Sequence, residues 1–345
     1  MSLALRIWFS FVVGGTFAHM LRYVLKRLGN YAVMLFLAVS GAYLLASVSL
    51  NPRSLYAVRQ PPLDPRVLDN MLYGWNINDK TPLLERYWTW LTNVFQGNWG
   101  HSPLGANVGE QIAMRSGVSL RLLIIGTVVG IVVGIGLGAW TATRQYKVSD
   151  RVVTALALLA FCTPAFVMGY LLQIGATAIN TATGMQIFEF VGEYGQIGDY
   201  PGAWLVDRAQ HLLLPTLVLV LIQFASLSRI QRNLMLDALG ADYVRTARAK
   251  GLRMSKAVTK HALRTALIPT GTYVAFSIAG VFTGAVYTET VFSFPGIGSY
   301  TVEVIGRSDI NGVAAVTAFA GVCVVAGAIL SDILVAILDP RVRLG

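Results

Sequence analysis

The run LRLLIIGTVVGIVVGIGLGAWTA, residues 120–142, decides the fold. Its single charge, Arg121, stands at the edge, and the rest is apolar, glycine or threonine. About 20 such residues, rising 1.5 Å each in a helix, cross the ~30 Å of a bilayer core. Backbone groups in hydrocarbon must pair within their own segment, so this run is read as a membrane-spanning helix. Gly126, Gly130, Gly134 and Gly138 recur every fourth residue, with Gly136 between them. That spacing puts the four on one helix face, where missing side chains let a neighbouring helix approach closely. A nucleotide-binding glycine loop needs a strand–loop–helix context that an apolar segment does not supply.

Five more runs read the same way: Tyr31–Leu50, Val152–Ile179, His211–Leu227, Ala266–Val291 and Val313–Leu338. None carries a charge near its midpoint; Glu289 and Asp332 sit near the ends of theirs. Composition agrees, since 55% of the 345 residues are hydrophobic and only 13% charged, with mean hydropathy +0.60. A soluble chain is about one quarter charged. The expected fold is therefore an all-α polytopic membrane protein of six transmembrane helices. Pro164 interrupts the third run and predicts a kink there, serving either packing or a gate.

Lys and Arg orient the spans. With the amino terminus cytoplasmic, inside segments hold 18 of the 27 Lys and Arg but only five of the 17 Asp and Glu. Cytoplasmic loops carry the cationic excess, so both termini are placed inside. The net charge of +10 is then an orientation signal and does not imply nucleic acid. Residues 1–19 form an amino-terminal extension, readable as an interfacial helix upstream of a possible start at Met20. Ile7–Ala18 is short for a span and lacks a preceding basic region and a cleavage site, so it does not read as a signal peptide. Residues 20–51 hold the first transmembrane helix, 52–119 an extracytoplasmic loop with Pro61, Pro62, Pro65, Tyr87, Trp88 and Trp90, and 120–345 the transmembrane core. The 180–210 segment, with Glu189, Glu193, Asp199 and Asp207, reads as a solvated acidic loop or a contact for a delivery protein. Cys162 and Cys323 lie in apolar runs and read as small buried hydrophobes; no metal-ligand spacing is present.

The cytoplasmic loop at about 231–264 carries the most information. From Asp242 it reads DYVRTARAKGL, ending at Leu252, and a second basic stretch follows. Val244, Ala247 and Gly251 fall at three- and four-residue steps as a small-residue ridge, with cations opposite. Gly251 can end one short helix in the left-handed conformation, and Ser255 can cap the next. Two short helices at a bend follow. From these residues alone, a polybasic lipid-binding stretch explains the pattern equally well.

At these residues the chain resembles the permease subunits of dipeptide and oligopeptide ABC importers, the B type of the binding-protein-dependent inner-membrane components. Of the general loop signature, Ala247, Gly251 and Leu263 match; the run Asp242–Leu252 and His261-Ala262-Leu263-Arg264 follow the peptide branch. Further matches are Gly97-Asn98-Trp99-Gly100-His101-Ser102, Pro164-Ala165-Phe166, His211 with Pro215, and Glu289 with Pro295-Gly296-Ile297-Gly298. Arg307-Ser308-Asp309 and Asp339-Pro340-Arg341 complete the order. The family's Pro-Gly-Asp-Pro after the first span is reduced to Asn51-Pro52.

The resemblance implies a type I importer permease fold in a bacterial inner membrane. A second permease, two ABC ATPase subunits, an extracytoplasmic solute-binding protein and membrane lipid would be its partners. It implies coupling to the ATPase through Asp242, Tyr243, Arg245, Thr246, Ala247, Arg248, Lys250, Gly251 and Leu252. Glu289 is left between an outer-gate residue and a helix end facing water. ATP and magnesium belong to the partner subunits, and this chain has no GxxxxGK[ST] phosphate loop. Peptides are the expected cargo; haem, nickel complexes or glutathione would use the same machinery. An ion-coupled carrier would place ionisable residues deep within its spans, and none lies mid-span here. An intramembrane metalloprotease would show His-Glu-x-x-His; the four His are scattered, and His211 reads as a helix-end packing residue.

Overall fold

The computed structural model describes residues 27–57, 59–195 and 201–338, without the side chains of 275–283 and 331–338. The 1–19 extension, Arg6, Arg22, Lys26, Asp199, Asp339-Pro340-Arg341 and Arg343 lie outside the described residues, as does the Asp332 side chain. Among those described, the chain is helical with no strand. Helix α1 covers residues 27–49. The following loop folds into α2 (Ser54–Ala57), α3 (Pro65–Gly74) and α4 (Leu83–Phe95). Then come α5 (Val108–Ala142), α6 (Val148–Cys162), α7 (Ala165–Thr183) and α8 (Ala203–Gly240). Below them lie α9 (Asp242–Ala249) and α10 (Met254–Ala257), and a π-turn, Val258–Ala262, leads into α11 (Leu263–Val291). Helices α12 (Ile297–Gly306) and α13 (Ile310–Leu338) complete the order.

Five stretches of described residues are long and apolar enough to cross a membrane: 27–57, α5, α7, α8 and the first 21 residues of α13. Helix α11, with 29 residues, has the length of a sixth. Two expectations need correction. The third span is not one kinked helix but two helices, α6 and α7, parted at Thr163-Pro164. Proline crowds the residue before it out of the helical region, and Thr163 accordingly adopts φ −92°, ψ 121°. The other correction is length. Helix α5 starts 12 residues before Leu120, capped by Asn107, whose side chain accepts the Glu110 N–H at 3.2 Å. Helix α8 extends beyond both ends of His211–Leu227, so Asp207 belongs to a helix and not to a solvated loop.

The glycines explain how the longest helices meet. A Cβ on Gly126, Gly130 or Gly134 would stand 2.8, 2.6 or 2.9 Å from the Cβ of Leu219, Gln223 or Leu227 on α8. At Gly138 it would meet the Ser228 carbonyl oxygen at 2.5 Å and Gln231 Cβ at 2.9 Å. The four-residue period of α5 is thus answered by a four-residue period on α8, and the helices pack backbone to backbone. Gly136 faces open space. The segment between α1 and α5 is anchored from both sides of the sequence. Tyr43 of α1 stacks on Trp90 of α4 at 4.3 Å, and Ile310, Ala314 and Ala318 of α13 join the same core. Trp88 is exposed, whereas Trp90 is buried. Cys162 is also exposed, and Cys323 is half-buried; both are free thiols.

Candidate functional site

The α9–α10 hairpin hangs below α8 and α11. Its first helix starts after Ala241, which is extended (φ −75°, ψ 149°), and ends in a Schellman turn. The Leu252 N–H donates to the Ala247 carbonyl at 3.2 Å, and the Gly251 N–H to the Arg248 carbonyl at 2.9 Å. Gly251 sits at φ +88°, in the left-handed region that a side chain disfavours. The bend therefore has a fixed angle set by one glycine. Helix α10 follows with Arg253 at its cap position; Ser255 lies inside the helix and caps nothing.

Of the small-residue ridge, Gly251 is exposed but Val244 and Ala247 do not face outward. Val244 and Ala247 are buried against Met235, Ala238, Ala142, Ala257, Ala262 and Ala266, a contact layer made mostly of alanine. Such small side chains let a one-turn hairpin lie close to the ends of three long helices. Ala247 consequently supports the hairpin from within and does not present a docking surface. Leu252 is half-buried. What faces outward is Tyr243, Arg245, Thr246, Arg248, Lys250 and Gly251, continued by Arg253, Met254, Lys256, Lys260 and Arg264. Asp242 is almost fully exposed; its 3.7 Å pairing with Arg245, also exposed, holds nothing of consequence. Seven cations around an exposed Tyr and Met make a surface suited to an acidic cleft with an apolar floor.

Just above, Asp150 at the head of α6 takes a bidentate pair from Arg232 of α8, Nε to Oδ1 at 2.7 Å and Nη2 to Oδ2 at 2.8 Å. The Asp150 side chain is 4% exposed, so this fork is shielded from solvent. It ties the α5–α6 turn to the helix that carries the hairpin. Thr270 donates to Gln231 at 2.5 Å and joins α11 to the same helix. Nothing in one sequence links positions 82 residues apart, which is why sequence reading missed the pair.

At the other end of the molecule, Glu289 neither faces water nor lines an open gate. It is fully buried, and its carboxylate accepts from Ser119 Oγ at 2.6 Å and from the Ser299 N–H at 3.1 Å. Ser119 in turn accepts the Ile297 N–H at 2.7 Å. The turn Pro295-Gly296-Ile297-Gly298 is thereby held against α5. A Cβ on Gly298 would stand 2.7 Å from Val286 Cα and 2.9 Å from the Glu289 carboxylate. Glu289 is a positioning residue that fixes the entry to α12. Pro164 follows Thr163 in the α6–α7 break as the cap residue of α7, and Phe166, two residues on, packs against Tyr287 of α11 at 6.4 Å.

Comparison with known proteins agrees with this architecture. Residues 134–344 match the family model described as binding-protein-dependent transport system inner membrane component. The chain is 46% identical over 326 residues to an oligopeptide transport system permease protein of Mycobacterium tuberculosis, covering 94% of this chain and 99% of that one. It is 33% identical to a dipeptide transport system permease protein of Lactococcus lactis, over 94% of this chain and the whole of that one. An oligopeptide transport system permease protein of Bacillus subtilis is 30% identical with the same coverage.

Proposed function

Because the chain belongs to the family of binding-protein-dependent transport system inner membrane components, we propose that it forms one half of a peptide-import pathway driven by ATP hydrolysed in partner subunits. It is a multi-pass inner-membrane permease, a transport component and not a catalytic subunit. Its cargo is di- or oligopeptides, in keeping with what the names of its relatives say of those proteins. A second permease would complete the pathway, two ATPases would seat on the cytoplasmic side, and a solute-binding protein would deliver peptide from outside. ATP and magnesium would be held by the ATPases.

The observation that carries this reading is the α9–α10 hairpin. A surface patch of Tyr243, Arg245, Arg248 and Lys250 stands on a rigid glycine-set bend, and its buried face is keyed to α8 and α11. A rigid plug of this kind passes motion from a docked subunit to the long helices as a body. The test uses the assembled complex with its binding protein in proteoliposomes. Arg248→Glu with Lys250→Glu reverses exposed charges without touching the core. We expect normal insertion and thermal stability, with peptide uptake and peptide-stimulated ATPase reduced at least about tenfold, the equivalent of ~1.4 kcal/mol. Uptake at the parental rate would sink the coupling assignment. Ala247→Glu is a different experiment: it buries a charge under the hairpin and is expected to lower stability itself.

A further inference from the structure

At the end of α8 remote from the hairpin, three donor groups converge. Asp207 and His211 lie one turn apart on one face of α8, with only 5% and 3% of their surface exposed. Glu189, from the segment after α7, closes over them. One donor atom from each of the three lies within 4.8 Å of the other two. His211 Nδ1 is 2.9 Å from the carbonyl oxygen of Asp207. A carbonyl oxygen only accepts, so Nδ1 carries the hydrogen. In the neutral ring Nε2 is then a bare lone pair, and it faces Glu189 Oε2 across 3.4 Å. Two acceptors held face to face call for a positive centre near them.

Among the described residues no fixed cation supplies it: neither Glu189 nor Asp207 pairs with Lys or Arg, and Arg121 and Arg208 reach Glu193 instead. The surroundings are built for these carboxylates. The Gly195 N–H donates to both oxygens of Asp207, at 3.0 and 3.2 Å. A side chain at Gly195 would put its Cβ 2.7 Å from Glu189 Oε2. A cavity of about 420 Å³, lined in part by Asn180, Gln186, Glu189 and His211, opens onto the group.

We propose that Glu189, Asp207 and His211 bind one divalent first-row cation of the zinc class, fastening the segment after α7 to the head of α8. One imidazole with two carboxylates suits such an ion better than magnesium or calcium, which take oxygen alone. The carbonyl on Nδ1 is the outer-shell partner that metal-binding imidazoles use to fix their tautomer. Transport is not a premise here: binding is measured on the isolated chain, so its failure leaves the permease reading untouched.

The experiment strips the full-length protein in detergent with a chelator, then titrates Zn²⁺ by equilibrium dialysis and thermal melting. Expected are one ion per chain, a melting temperature that rises with Zn²⁺, and at least a ~10-fold affinity loss in Glu189→Gln. His211→Gln should bind none; if it fails to fold, the partly exposed Glu189 variant alone decides. Absence of saturable binding at one per chain, or unchanged affinity in Glu189→Gln, overturns the proposal. So does a melting temperature of the stripped wild-type protein that ignores Zn²⁺.

Discussion

Asp309 joins α12 to α13 with 2% of its surface exposed. Its carboxylate accepts the Gly312 N–H at 2.8 Å, yet burial dominates and pushes its pKa up to about 7. A folded-state value above the ordinary 3.8 means the folded chain keeps a proton that the unfolded chain gives up. Stability from this group is fully present below the ordinary value, declines as pH rises, and is gone above about 7. Melting temperature should therefore fall between about pH 4 and about pH 7, and Asp309→Asn should flatten that slope. Identical slopes in both proteins would refute the assignment. At this scale the sequence was a partial guide. It marked Arg307-Ser308-Asp309 and Glu289 as members of a pattern, but the hydroxyl that donates to the buried Glu289 carboxylate belongs to Ser119, which is 170 residues away. A helix-end glutamate and a buried one look alike until the chain that covers them is placed.

The helix pair α5–α8 was legible on one side only. Glycines every fourth residue announce a close approach, but the partner stripe of Leu219, Gln223, Leu227 and Gln231 carries no such mark. The seam makes a graded prediction. Gly138→Ala forces a methyl toward the Ser228 carbonyl and should destabilise by about 1–3 kcal/mol, whereas Gly136→Ala, facing open space, should be neutral or slightly stabilising. Denaturation in a fixed detergent measures both, and equal melting temperatures for the two variants would contradict the packing. Helix lengths were underread because hydropathy reports only the part that meets lipid. The amphipathic ends of α5 and α8 project beyond it and are visible only once their capping and packing partners are known. Pro164 was marked correctly as an interruption, but its restriction of Thr163 makes a break where a bend was expected. The hairpin teaches the reverse lesson. Its turn follows from Gly251, while the inward direction of Val244 and Ala247 depends on alanines contributed by α8, α10 and α11.

For the whole molecule, the charge count leads us to expect the α9–α10 hairpin in the cytoplasm and the α2–α4 segment outside. Replacing Cys162 and Cys323 with serine allows single cysteines at Asp79 and Lys256 to test this. An impermeant maleimide should label the Asp79→Cys chain in intact spheroplasts and the Lys256→Cys chain only after permeabilisation. Labelling of Lys256→Cys in sealed spheroplasts would invert the topology. The apolar spans and the family follow from local pattern, because lipid imposes its constraint segment by segment. Tertiary pairings do not: Asp150 with Arg232, Tyr43 with Trp90, and the three donors around His211 each join distant stretches. Local periodicity has no access to these.

Helix α8 also has a mechanical consequence. Pro215 has no N–H to donate, so the helix lacks one i→i−4 bond at this point, a natural place for the rod to pivot. From there to Gly240 the shaft measures about 38 Å at 1.5 Å per residue. Pivoting by ~8° displaces its lower tip by about 5 Å, close to one helical pitch. A pull of about 5 Å at the foot of α8 is thus a pivot of only ~8°, and the glycine seam, which lies between Pro215 and Gly240, ties α5 to the moving shaft.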